Sequence, residues 1–263
     1  GSGAWTTTLN GGLFGSVTDV STTFTTNTFG TTLTLTWTNT NGGACDGETT
    51  SIDAIFEQPV TSTIDAYGID TQCWLWGGLS SDSWSDPTNW YKNDGSNWMR
   101  QTAETPSSSD KVYIMANNVA GQCVSSSNYA LSVEGASMTD LMVASGASLN
   151  LGGSLSISGD LVNDGTITPG SSTLTLNGLN DQTVSGNEVN LDNLNVNKSG
   201  GDLIMSTPIN VGGTLNMISG NIGGNILTIG SSSGVGTLNH TSGIVTGQLR
   251  RYFANATGSK FFP

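Results

Sequence analysis

The sequence is short of charge, and shortest of positive charge. Of 263 residues, 7 are Lys or Arg and 20 are Asp or Glu, a formal net charge of -13. Charged residues make up 10% of the chain, against about 25% in an average soluble protein. Neutralising a phosphate backbone needs clustered cations, so nucleic acid is excluded as a partner class. No Lys or Arg precedes Lys92. Histidine occurs once, at His240, leaving a single imidazole to serve as base in Ser–His–Asp chemistry. The three cysteines, Cys45, Cys73 and Cys123, are too few for a disulfide scaffold and show no metal-binding spacing. No apolar run reaches about 18 residues, so no helix of this chain spans a membrane. The strong helix formers Glu, Lys, Ala, Gln and Arg are scarce.

What fills the chain instead is Gly, at 36 residues, with Ser, Thr and Asn. Together with Val, Ile and Thr in short runs, this composition specifies an all-β protein of secreted type. Calcium is the one cofactor the acidic residues suggest, at Asp86, Asp94 or Asp110, although no DxDxDG loop is present.

The composition shifts along the chain. All seven Trp lie between Trp5 and Trp98, five of them between Trp74 and Trp98. A boundary follows near 59–72, at Pro59, a Thr/Ser run and Gly68. The expected organisation is a partial β-sandwich over 1–60, a linker over 61–72, a Trp-rich cap with the first rungs over 73–129, and a β-helix over 130–263. In the first segment Leu33, Leu35 and Trp37 alternate with Thr32, Thr34, Thr36 and Thr38, the pattern of a half-buried antiparallel strand. A turn over 39–43 leads to a second strand, with Ile52, Ala54 and Phe56 set against Asp53 and Glu57. Asn10-Gly11-Gly12 reads as a hairpin turn between strands at 4–9 and 13–20. Four or five short strands are too few for a complete sandwich.

From about residue 130 the chain repeats. Leu149, Leu155, Leu161 and Ile167 recur every six residues, and Gly153, Gly159 and Gly165 keep the same step. Couplets continue at Leu174/Leu176, Leu194/Val196, Leu203/Met205, Leu215/Met217, Leu227/Ile229 and Ile244/Val245. Three-to-five-residue strands punctuated by Gly, Asn and Ser describe a β-solenoid, with stacked aliphatics inside and polar ladders outside. An ordinary sandwich would show longer strands at wider spacing.

Few side chains group into chemistry. Trp84, Trp90 and Trp98 read either as a glycan-stacking platform or as a hydrophobic lid over the first rung, which otherwise exposes an apolar column and open strand edges. Cys73 and Cys123 bracket the Trp-rich stretch, and a disulfide between them would close a loop of about 50 residues; two independent thiols is the other reading. A polysaccharide lyase or hydrolase would draw on Asp160, Asp164, Asp181, Asp192, Asp202, Lys198 and Arg250/Arg251. No two carboxylates adjoin in sequence, so such a site would have to pair them from different rungs.

Two stretches resemble known families. Gly3-Ala4-Trp5-Thr6, Gly11-Gly12-Leu13-Phe14-Gly15 and Leu33-Thr34-Leu35-Thr36-Trp37-Thr38, followed by Asn41-Gly42-Gly43-Ala44-Cys45, resemble the PKD-like, immunoglobulin-type domains of large Bacteroidota surface proteins. That resemblance implies that Cys45 has its partner in a strand upstream, and that the chain is a section of a longer protein. Trp74-Leu75-Trp76-Gly77, Trp84-Ser85-Asp86-Pro87-Thr88-Asn89-Trp90, Pro106 and Asp110-Lys111-Val112-Tyr113-Ile114 resemble the motif that opens right-handed parallel β-helix modules in the same proteins. The phrases around 146–166 and 247–252 are similar to theirs as well. Together these imply export by the type IX pathway and an extracellular, cell-surface place. They also imply a non-enzymatic role as stalk or adhesion module beside further modules of the same chain, the secretion or anchoring machinery and surface glycans. A polysaccharide-binding module or a β-helix polysaccharide lyase are the alternatives.

Overall fold

The computed structural model describes residues 2–8, 13–25, 32–40, 46–55, 73–78, 80–94, 98–115, 131–132, 135–254 and 259–263. These fall into two compact units, one ending at Ile55 and one beginning at Cys73. Both are all-β.

In the first unit Thr32–Asn39 is the central strand of a three-stranded antiparallel sheet, between Gly3–Thr7 and Thr49–Ile55. Period-two alternation puts Leu33, Leu35 and Trp37 on one side. Their cross-strand partners Ala54, Ile52 and Trp5 or Thr50 follow from the register. The Trp5 and Trp37 rings meet edge to face at 5.4 Å. On the other side Thr34 donates to Asp53 Oδ1 at 2.7 Å, and the hydroxyls of Thr36 and Ser51 lie 2.8 Å apart. The hairpin expected between 4–9 and 13–20 shows one backbone bond, from the Trp5 N–H to the Val17 carbonyl at 2.8 Å, and its turn at 10–12 lies outside the described residues. Gly3–Thr7 pairs with Thr32–Asn39, while the strand at 13–20 shortens to Leu13–Phe14 and pairs with Phe24–Thr25. Ile52 also departs from the alternation: it is exposed, although it sits on the apolar side.

The second unit is a β-solenoid of six turns. Its third face is a six-stranded parallel sheet running from Ala136–Met138 to Thr237–His240. The first face holds Lys111–Ile114, Leu141–Val143, Leu161–Asn163, Gln182–Gly186, Leu203–Met205 and Ile222–Gly224 in parallel register. The second face is split into a three-stranded sheet ending at Thr166–Thr168 and a four-stranded sheet starting at Val189–Leu191. At the split, the Asn187 side chain donates to the carbonyls of Asp164 and Gly165 at 2.8 and 3.1 Å, holding the corner where the backbone ladder lapses.

The six-residue step is one side of this triangle. Leu149 lies on the second face, Leu155 on the third, Leu161 on the first, and Ile167 is back on the second, directly paired with Leu149. Hydrogen bonds between successive turns at the corner before the first face span 19 to 23 residues. Many strands contribute side chains at i and i+2 to the interior, such as Leu174/Leu176 and Leu194/Val196, while Ser148–Asn150 and Thr166–Thr168 contribute one each, and these stack into a single continuous apolar core. Outside, the third face carries a polar ladder. Asn195 donates to Thr175 Oγ1 at 3.4 Å, Asn216 to Asn195 at 2.7 Å, and Asn239 to Asn216 at 2.7 Å.

The first face extends past Lys111–Ile114. Cys73–Trp76 pairs parallel with that strand, Trp90–Asn93 pairs antiparallel with Cys73–Trp76, and Trp98–Arg100 pairs antiparallel in turn. Trp74, Trp76, Trp84 and Trp90 belong to the same apolar core as the stacked Leu, Ile and Val.

Candidate functional site

The tryptophan segment is built from its turn residues upward. Pro87–Asn89 forms a short 3-10 turn capped by Asp86, whose Oδ1 accepts the Thr88 N–H at 3.0 Å and the Thr88 hydroxyl at 2.6 Å. Those bonds, the Thr88 hydroxyl first, hold the Asp86 carboxyl below its usual value against the opposing effect of burial. Asn89 is fully buried and closes the preceding loop. Its Oδ1 accepts the N–H groups of Ser80 and Ser81 at 2.7 and 3.2 Å, and its amide donates to the Ser83 carbonyl at 3.1 Å. That loop presents the Trp84 carbonyl to the Trp90 indole N–H at 2.8 Å. The Trp76, Trp84 and Trp74 rings then surround Trp90 at 5.0, 4.7 and 6.4 Å, all near-perpendicular. Trp84, Trp90 and Trp98 are 6%, 0% and 9% exposed, so they form no row of open ring faces.

A second arrangement lies along the corner that leads into the first face. Asp140 Oδ1 accepts the Asp160 N–H at 2.7 Å, and Asp160 Oδ1 accepts the Thr183 N–H at 2.7 Å, one turn on. Further along, Asp181 Oδ1 accepts the Asp202 N–H at 2.9 Å, and Asn221 donates to Asp202 Oδ1 at 3.0 Å. The chain bends here, so each N–H would otherwise be left without the partner a straight ladder provides. A β-carbon at Gly159 would fall 2.0 Å from Asp140 Oδ1, so the close approach of that carboxylate requires glycine. Next to this corner is a groove of ≈170 Å³, lined by outward-facing Tyr113, Met142 and Val162 and by Lys111, Asp140 and Asp160. Asp140 and Asp160 stand on successive turns at this corner. Each is engaged in holding the next turn's amide. Asp140 and the groove were not legible in the sequence, because the varying turn length hides which residues stack.

Asp160, Asp164 and Lys198 are not gathered into one cluster. Asp160 and Asp164 flank the strand Leu161–Asn163 at opposite corners, and Asn187 caps the backbone at Asp164. Lys198 is 2% exposed. Its ammonium donates to the Asn180 and Gly178 carbonyls at 2.8 and 3.3 Å and to Gln182 Oε1 at 3.4 Å. Burial lowers its pKa, opposed by the charges of Asp181, Asp202 and Asp160. His240 places Nε2 2.8 Å from the Gly243 carbonyl, a turn contact. Asp192 accepts from the neighbouring Asn193 amide at 2.8 Å.

Of the carboxylates considered for calcium, Asp86 is the turn cap, and Asp110 accepts the N–H and hydroxyl of Ser107 at 2.7 and 2.6 Å. Asp94 is exposed. Among the described residues no three His, Cys, Asp or Glu side chains come close enough to hold a metal ion. Cys73 is buried with its Sγ 3.8 Å from the Tyr113 hydroxyl. Cys45 and Cys123 lie outside the described residues. Among the described residues no helix is long and apolar enough to cross a membrane. Compared with known proteins, the chain matches no family model, no curated protein and no solved structure.

Proposed function

We propose that this chain is a non-enzymatic section of a large secreted cell-surface protein, a rigid stalk that also carries adhesive surfaces. One observation carries the reading: a single apolar core runs unbroken from the tryptophans at one end through six turns to Leu227 and Ile229. Such a stack transmits force through parallel hydrogen-bonded strands, and its stability grows turn by turn. The Trp-rich segment acts as the cap. It continues the first face with antiparallel strands and lays indole rings over the first turn, which would otherwise present an open edge and a bare column. The first unit acts as a PKD-like module. Its Trp5–Trp37 pair and its side with Leu33, Leu35 and exposed Ile52 form the kind of surface on which a sandwich packs its second sheet.

Polar side chains supply the second support. Asp86, Asn89, Asp140, Asp160, Asn187 and Lys198 spend their hydrogen bonds on turns and corners. Glycan binding through Trp84, Trp90 and Trp98 loses its footing with the burial of those rings. The test pairs localisation with turnover. Antibodies to the chain should label intact cells, and neutral and acidic polysaccharides incubated with it should release no new reducing ends. Polysaccharide cleavage that disappears in an Asp140→Asn or Asp160→Asn variant would overturn the proposal in favour of an enzyme.

A further inference from the structure

The junctions between successive turns of the solenoid are not equal. The first and second turns are laddered on all three faces, and so are the second and third. The same holds for the fourth and fifth turns and for the fifth and sixth. Between the third and fourth turns two faces pair, Leu161–Asn163 with Gln182–Gly186 and Thr173–Leu176 with Asn193–Asn197. Among the described residues, the second face has no backbone ladder there.

The lapse follows from the pleat. Ser148–Asn150 and Thr166–Thr168 each turn their middle residue inward, Leu149 and Ile167. Val189–Leu191 and Ile209–Val211 bury their two outer residues and turn the middle one out. Set centre to centre, the two kinds of strand oppose inward against outward, and a shift by one residue shortens the pairing. Side chains take the place of the ladder. The Asn187 N–H donates to the Asn163 carbonyl at 2.5 Å, and its amide reaches the Asp164 and Gly165 carbonyls at 2.8 and 3.1 Å. The Asn163 amide donates to the Glu188 carbonyl at 3.3 Å. Asn163 is 1% exposed, yet its Oδ1 accepts from no described residue. Parting the two turns would return that acceptor to water.

We propose that the junction between the third and fourth turns is a built-in joint, the first contact between turns to open, at which the solenoid parts into two blocks. Fewer backbone bonds resist separation here than at the junctions on either side. The apolar core crosses the joint, with Ile167, Leu176, Val184 and Val189 in one cluster, so the blocks stay docked at rest. As a feature of the fold the joint stands by itself. Its role as the point where a loaded stalk yields rests on the stalk reading.

Native-state amide exchange of the 263-residue chain, followed residue by residue by NMR, tests it. Two amides bond across the joint, Asn187 to the Asn163 carbonyl and Asn193 to the Ser172 carbonyl. The corresponding bonds at the next junction run from Ser206 to the Val184 carbonyl and from Gly213 to the Asp192 carbonyl. Protection of Asn187 and Asn193 should be roughly tenfold lower than that of Ser206 and Gly213. This comparison needs no variant. Asn187→Ala should then lower the protection of Asn193 about fivefold further and leave Gly213 unchanged. Asn225 stands at the same corner between the fifth and sixth turns and donates to the Ser206 carbonyl at 3.3 Å, beside a laddered second face. Asn225→Ala should leave Asn193 as it is in the wild type. Equal protection at the two junctions would overturn the proposal, as would an Asn187→Ala chain in which Asn193 keeps its wild-type protection. Either result bears on the joint alone, because localisation and turnover test the stalk reading.

Discussion

The indole N–H of Trp90 donates to the backbone carbonyl of Trp84 at 2.8 Å, while the two rings meet at 68° with centroids 4.7 Å apart. One residue thereby joins a loop to the apolar column. Trp90→Ala removes the ring that Trp74, Trp76 and Trp84 all contact. It should cost about 3–5 kcal/mol in urea unfolding of the solenoid unit. Trp90→Phe keeps much of the packing but leaves the Trp84 carbonyl without its donor, and should cost less than the alanine variant. Equal losses for the two would show that the carbonyl bond, and not the packing, dominates.

Asp140 and Gly159 should behave as a pair. Gly159→Ala pushes a methyl into the Asp140 carboxylate and displaces the acceptor of the Asp160 N–H. A loss of about 1–3 kcal/mol is expected. With Asp140→Ala already in place the same substitution meets less obstruction, so the double variant should be more stable than the two single losses predict. Simple additivity would separate the glycine from the carboxylate.

Lys198 gives a prediction at alkaline pH. Its folded-state pKa is lowered below 10.5, so the unfolded chain holds the proton to higher pH, and stability rises as pH climbs through that window. Lys198→Met abolishes this rise. It also leaves the Gly178 and Asn180 carbonyls without their donor, at about 1–3 kcal/mol less the relief of a buried charge. The gap between wild type and variant should therefore widen as pH rises towards 10.5, read as urea midpoints. A gap that narrows would contradict the buried-ammonium account.

The acid side tests Asp86. Its folded pKa is held below 3.8 by Thr88, so its contribution is present above that value and is lost as pH falls through the folded one. Asp86→Ala should cost about 0.5–2 kcal/mol near neutral pH, as helix-cap removals do. The difference should shrink in the window below pH 3.8. A constant difference at every pH would mean that the carboxylate's charge has no part in the cap.

The sequence made some of this legible and concealed the rest for identifiable reasons. The step from Leu149 to Leu155 to Leu161 to Ile167 revealed a solenoid, because interior positions must recur whenever a face does. The run from Trp84 to Trp90 is readable residue by residue, since cap, proline turn and buried asparagine are all local. What stacks on what was hidden. Turns of 18 to 23 residues shift the register unpredictably, so the carboxylate at Asp140 gives no sign in sequence that it serves the amide of Asp160. Lys198 reads in sequence as a cation that a lyase site would draw on, whereas in the fold it is buried and bonded to the Asn180 and Gly178 carbonyls one turn back. In the first unit the pairing of Gly3–Thr7 with Thr32–Asn39 joins strands far apart in the chain, and no local turn signal announces it.

The central claim, a stack of near-equivalent turns that bears force, is tested most directly by stretching single chains. Each turn of 18 to 23 residues has a contour of about 70 Å at 3.3–3.6 Å per residue. The account predicts repeated extensions of that size from the second unit, each resisted by the parallel strands of one turn. Release of residues 73–263 in a single step, or extension without measurable resistance, would contradict it.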